Sequence, residues 1–87
     1  MKADFYQRLK DKLNDSHKFP CIYMYKFIIP KDQENKIKLL FSDSNILTKQ
    51  SSKGNYISVT IKLIASNSNE VIKNYKKASK IEGLIAL

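Results

Sequence analysis

The sequence holds one cysteine, one histidine, one arginine, two glycines and two prolines in 87 residues, and each scarcity excludes something. Cys21 alone cannot close an intramolecular disulfide, so the chain is no disulfide scaffold and suits a reducing compartment. So little glycine and proline excludes collagen and low-complexity disorder. No apolar run approaches the ~18 residues of a membrane span, and the N-terminus lacks a secretory apolar segment. One soluble cytoplasmic domain is the expectation, residues 1–18 forming a helix and linker ahead of a core at 19–87. A chain this short buries only about 60 to 65% of the surface its unfolded form exposes, so stability rests on few residues. Its only His and Cys, His17 and Cys21, fall short of the four ligands of a structural zinc site. A Cys–His nucleophile pair needs mutual hydrogen-bond reach and an orienting third group, which nothing here requires. The expectation is therefore no enzyme, no metal and no cofactor.

Positive charge is abundant but not concentrated. Sixteen basic against eight acidic residues leave +8. By quarters, residues 1–18, 19–41, 42–66 and 67–87 carry 5−3, 4−2, 3−1 and 4−2, so each is +2. There is no basic arm. Fifteen of the basic residues are lysines, and only Arg8 offers a rigid fork for phosphate or a base edge. Lysine rises here with Ile, Asn and Tyr, the set that AT-rich codons favour, so coding bias accounts for much of the charge. Lys53-Gly54 ahead of a strand superficially matches the third-strand motif of RNA-recognition domains, but its aromatic positions fall on Asn55, Ile57 and Thr60. Without a stacking platform, weak nucleic-acid binding through distributed lysines is only the alternative reading.

Hydrophobic periodicity supplies the elements. Phe5, Leu9 and Leu13 form one stripe of a helix over 3–15, followed by a linker at Ser16-His17-Lys18. Cys21 to Ile29, between Pro20 and Pro30, is β-branched and aromatic on both alternating sets. It reads as a central strand covered on both faces. Asp32 as N-cap with Ile37, Leu40 and Phe41 predicts a short helix over 33–41 ending near Ser42-Asp43-Ser44. Ile46 to Ser51 reads as a polar edge strand. Tyr56 to Leu63 alternates strictly, Ile57, Val59, Ile61 and Leu63 pointing inward. Asn67 with Glu70 opens a helix over 69–80 whose stripe is Val71, Ile72, Tyr75, Ala78 and Ser79, with Lys73, Lys76, Lys77 and Lys80 on its solvated face. Gly83 breaks it before a short strand at 84–87.

The order α-β-α-β-β-α-β, less its first helix, is the split βαββαβ unit. Right-handed crossovers then give an α+β, ferredoxin-like sandwich: a four-stranded antiparallel sheet of order 4-1-3-2 with an additional N-terminal helix. Phe27, Val71, Ile72 and Tyr75 join the inward strand residues in the predicted core. The sheet face away from the helices takes Ile22, Met24, Lys26 and Ile28 beside Tyr56, Ser58, Thr60 and Lys62. Half of it is too apolar to stand bare, and the Phe5/Leu9/Leu13 stripe is expected to cover it, in the same chain or swapped onto a partner. A homodimer through that face is the other cover. The hairpin residues Ser51, Ser52, Lys53, Gly54, Asn55, Tyr56 and Ser58 are the candidate ligand or partner site, with hydroxyls, one cation and backbone N–H groups for an anionic group or a partner loop. Its structural explanation is a tight turn that needs Gly54.

Ser51-Ser52-Lys53-Gly54-Asn55-Tyr56 followed by Ser58-Val59 resembles the central signature of the YbeD-like family of small bacterial proteins. Phe19-Pro20 entering the first strand, Tyr25-Lys26 within it, Tyr75, and Lys80-Ile81 are similar too, so the resemblance spans about residues 19–87. It implies a ferredoxin-like fold similar to ACT regulatory domains and assigns no activity. Pro30-Lys31-Asp32 stands where an ACT effector loop would be glycine-rich, so no effector site is carried over. The resulting functional expectation is a small non-enzymatic regulatory or binding module, ACT-like, for an unknown protein or small-molecule effector and with no membrane contact.

Overall fold

Two strands of ten residues, β1 (Cys21–Pro30) and β3 (Tyr56–Ala65), run antiparallel from Cys21 opposite Ala65 to Pro30 opposite Tyr56. In the computed structural model, which describes residues 2–42, 45–51 and 53–87, β2 (Asn45–Gln50) pairs with β3 and β4 (Ile85–Ala86) with β1, both antiparallel. The sheet order is β2-β3-β1-β4, the predicted order read from the other edge, and the architecture is the α+β ferredoxin-like one. Three helices accompany it: α1 (Lys2–Ser16), α2 (Glu34–Leu40) and α3 (Ser68–Ala78).

One face of the sheet makes the core. Tyr25, Phe27 and Ile29 of β1 and Ile57, Val59, Ile61 and Ala65 of β3 are buried against Ile37, Phe41, Val71, Ile72, Ala78 and Ile81. Leu63 and Tyr75, expected inside, are half-buried, and Ser79 of the predicted helix stripe is exposed. The helix α3 begins as its sequence indicates: the Glu70 N–H donates to Asn67 Oδ1 at 3.0 Å and the Ser66 N–H to Glu70 Oε1 at 2.6 Å. Asp32, by contrast, caps nothing. The chain leaves β1 through a single 3-10 turn, Lys31–Gln33, and neither Pro30 nor Gln33, the two N-cap positions, makes a side-chain cap. Gly83, at φ +80°, ends the α3 connection, where a Cβ would stand 2.9 Å from Pro30 Cγ. The predicted break at Asp43-Ser44 lies outside the described residues.

Two expectations fail together. β1 is not covered on both faces: Ile22 is 68% and Met24 47% exposed. Nor does α1 lie on the open face. It packs beside α3 in the helical layer, with Leu13 in the core, Tyr6 and Leu9 against it, and Lys76 Nζ 4.6 Å from the Tyr6 ring centroid. The reason lies in the connection. His17 and Phe19 pack on each other, and the His17 ring lies 5.4 Å from that of Tyr23, whose side chain points into the helical layer. A linker held on that side delivers α1 there, and Phe5, at the far end of the stripe, stays 60% exposed.

Candidate binding surface: the open sheet face and the β2–β3 hairpin

The hairpin is tied internally before it can bind anything. The Ser51 N–H donates to the Tyr56 carbonyl at 2.9 Å, the Gly54 N–H to the Ser51 carbonyl at 3.0 Å, and the Tyr56 N–H to Ser51 Oγ at 3.3 Å. Gly54 takes φ +74°, a conformation that costs a side chain about 1–2 kcal/mol. The Asn55 carbonyl accepts the Lys31 N–H at 3.0 Å, which fastens the loop to the end of β1. Ser51 and Gly54 therefore build the turn, and their N–H groups are not offered outward as an anion cradle. What the turn presents are the exposed Lys53, Asn55 and Tyr56. Ser58 is brought next to Lys49 across the strands, its hydroxyl 3.4 Å from the Lys49 carbonyl. Ser52 lies outside the described residues.

From Tyr56 the hairpin runs into the open face, and the strand register sets out its side chains in rows. Ile22 stands opposite Ile64; Met24 opposite Lys62, which faces Asn45; Lys26 opposite Thr60, which faces Leu47; and Ile28 lies between Ile85 and Ser58, with Lys49 beyond. Along the β1–β3 pair the face is thus apolar at one end (Ile22, Ile64, Met24), carries Lys62, Lys26 and Thr60 in the middle, and is apolar again at the other end (Ile28, Ile85, Tyr56), with Leu47 flanking the middle and Ser58 and Lys49 flanking that second end on the β2 side. Ile64 is 74% and Leu47 68% exposed. None of the four strands contains an acidic residue, and among the described residues Lys26, Lys49 and Lys62 have no ion-pair partner. Sequence reasoning located the β1 and β3 part of this face but missed Leu47, Lys49, Ile64 and Ile85. Ile64 was legible by carrying the β3 alternation one step beyond Leu63; Leu47 and Ile85 needed the register.

The covered side carries a different constellation. Tyr25 is wholly buried and its hydroxyl accepts from Asn74 Nδ2 at 3.0 Å, while the Tyr23 and Tyr75 hydroxyls lie 3.1 Å apart. Burial pushes the Tyr25 phenol above its ordinary pKa, and burial together with the Tyr23 hydroxyl does the same to Tyr75. The Tyr25–Asn74 and Tyr23–Tyr75 hydroxyl contacts tie α3 to β1. A groove of about 360 Å³ runs between Phe5, Tyr6 and Leu9 of α1 and Tyr75, Leu84 and Leu87. Among the described residues no three His, Cys, Asp or Glu side chains gather into a metal-binding group, and no helix is long and apolar enough to cross a membrane.

Comparison with known proteins places the chain without giving it an activity. Residues 14–87 match the family described as a protein of unknown function, DUF493. A UPF0250 protein of Buchnera aphidicola subsp. Schizaphis graminum is 35% identical over 80 residues, 84% of this chain and 92% of the relative. A UPF0250 protein of Serratia proteamaculans is 33% identical over 81 residues, 85% and 93% of the two chains. No solved structure matches significantly. The hairpin signature, the βαββαβ order and these matches over most of both chains agree: this protein belongs to the DUF493 (UPF0250) family of small YbeD-like proteins of unknown function.

Proposed function

We propose that the protein is a small non-enzymatic binding module of the cytoplasm, regulatory in the manner of ACT-like domains, whose working surface is the open sheet face together with the exposed side of the hairpin. The observation that carries this reading is the contrast in apolar exposure: Ile22, Met24, Leu47, Ile64 and Ile85 stand 47 to 74% exposed on one face of a sheet whose other face buries Tyr25, Phe27, Ile29, Ile57, Val59 and Ile61. Clustered apolar side chains of this kind on a small domain mark interaction surfaces. Lys53, Asn55 and Tyr56 extend the surface with polar groups at one end, as the rim of an interface does.

The test compares what the native protein binds with what an Ile22→Ser/Ile64→Ser variant binds, with Phe5→Ser on the helical side as control. Bound proteins and metabolites that disappear with the face variant and survive the control support the reading. A bound set unchanged by the face variant refutes it. Labelled single-stranded RNA titrated at near-physiological salt is the companion measurement, where tight, sequence-dependent binding would establish nucleic acid as the ligand.

A further inference from the structure

The order of side chains along the open face narrows the partner's chemistry, an inference that rests on the binding-module reading above. We propose that the face receives an amphipathic helix of another protein, whose contact stripe is apolar at both ends and carries Asp or Glu in the middle. Three other occupants fit worse. A second copy stacked face to face on a two-fold axis would gather six lysines, Lys26, Lys49 and Lys62 from each copy, in one interface to which the strands contribute no acid. A nucleic acid would meet those lysines but find no use for the aliphatic ends, and Tyr56 is the only aromatic among the face residues set out by the strands. An extended peptide laid across the face would have its backbone stranded, because a sheet face presents side chains and no backbone N–H or C=O groups. A helix satisfies its own backbone and needs only side-chain complementarity.

The dimensions agree. Ile22 and Ile28 are six residues apart on β1 and so stand roughly 20 Å apart at about 3.3 Å per residue, which a helix covers in about 13 residues. Such a helix would add the layer that the open side lacks, the usual way in which an apolar sheet face is closed. Its end residues would seat on Ile22, Ile64 and Met24 at one end and on Ile28, Ile85 and Tyr56 at the other. A carboxylate in the central turns would reach Lys26 and Lys62, which lie diagonally across the β1–β3 pair, with the Thr60 hydroxyl alongside. Partly desolvated charge pairing of that sort sets specificity and orientation, while the apolar ends supply most of the affinity.

The experiment selects displayed helical peptides, alanine-based and randomised at the contact positions of four turns, against the full chain. The expected winners carry apolar residues at both ends and Asp or Glu in the middle, gain helical circular dichroism on binding, and fail to bind Ile22→Ser/Ile64→Ser. Against Lys26→Glu/Lys62→Glu they should weaken on the order of tenfold or more, and reselection against that variant should replace the central acids by Lys or Arg. Winners that depend on Ile22 and Ile64 but ignore the charge reversal, or bind without becoming helical, overturn the acidic-helix inference and leave the binding-module reading standing. No winners, or winners indifferent to Ile22→Ser/Ile64→Ser, count against both. A dimer in sedimentation that the Ile22→Ser/Ile64→Ser variant dissociates also overturns it, in favour of a second copy as the occupant.

Discussion

Lys26 and Phe27 are neighbours in β1, yet Phe27 is fully buried, while on the Lys26 face Met24 and Ile22, two and four residues before Lys26, reach 47% and 68% exposure. Burial explains the apolar residues of the covered face: they carry a thin stability margin in a chain of 87 residues. Nothing in the fold explains Ile22, Leu47, Ile64 and Ile85, which contribute little to stability where they stand. A local rule broken without structural gain is where function is to be sought, so the open face carries the functional argument and the covered face does not.

The sharpest way to break that comparison is to truncate the same strand on each side. Phe27→Ala should destabilise by about 3 to 5 kcal/mol, through lost transfer energy and the cavity left beside Val59 and Tyr75. Met24→Ala, three residues away, should cost below about 1 kcal/mol, because its side chain already meets water. Urea midpoints read both. Equal losses would mean that the open face is covered in the native protein.

The glycines repeat the contrast in backbone terms. Both have positive φ, so any side chain carries about 1–2 kcal/mol of strain. At Gly83 an added Cβ also meets Pro30 Cγ at 2.9 Å, whereas at Gly54 nothing lies within 4 Å. Gly83→Ala should therefore destabilise by about 2 to 3 kcal/mol and Gly54→Ala by about half as much. Thermal melting of the pair tests whether the hairpin or the α3–β4 corner is the stricter turn.

How much of this was legible varied with the range of the interaction. The strict alternation of Tyr56 to Leu63, the Asn67–Glu70 cap and the positive φ of Gly54 are local, and the structure keeps them. The sheet order followed from connection rules. The two failures both concern what lies on what. The stripe Phe5/Leu9/Leu13 announced an apolar contact but not its partner, which was decided by His17, Phe19 and Tyr23 packing at the linker. Apolar residues on both sides of β1 read as double burial because composition does not distinguish a covered face from one awaiting a partner. In the hairpin, residue types foretold the turn, while the donation of the Ser51, Gly54 and Tyr56 N–H groups into it required coordinates.

The tyrosines offer a test by pH that only the covered side should show. Tyr25 and Tyr75 have folded pKa values raised above the ordinary 10.0. Their neutral forms are favoured in the folded chain, so that stabilisation is fully present below pH 10 and is lost as pH climbs from there towards the folded values. Tyr75→Phe should cost about 1 kcal/mol near neutrality by deleting the hydroxyl contact with Tyr23. The gap in melting temperature between the parent and Tyr75→Phe should then narrow above pH 10. A gap that stays constant or widens there would show that Tyr75 is free to ionise in the folded state.

The smallest stability effect is the most telling for function. Ile64→Ser replaces an aliphatic side chain that is 74% exposed, opposite Ile22 at the end of the open face. Little area is lost to water, and a serine in an exposed strand position costs a few tenths of a kcal/mol in β-propensity. The urea midpoint should therefore move by less than about 0.5 kcal/mol equivalent. The same substitution removes one of the apolar anchors proposed for a partner, and truncating a buried anchor weakens an interface by about 1 to 2 kcal/mol or more. Stability and binding should thus separate at this residue, whereas at Phe27 they would fall together. A loss of stability above about 1 kcal/mol that grows with protein concentration would mean that Ile64 is already buried against another copy. A loss independent of concentration would mean that the side chain is covered within its own chain, and the contrast between the two faces would disappear.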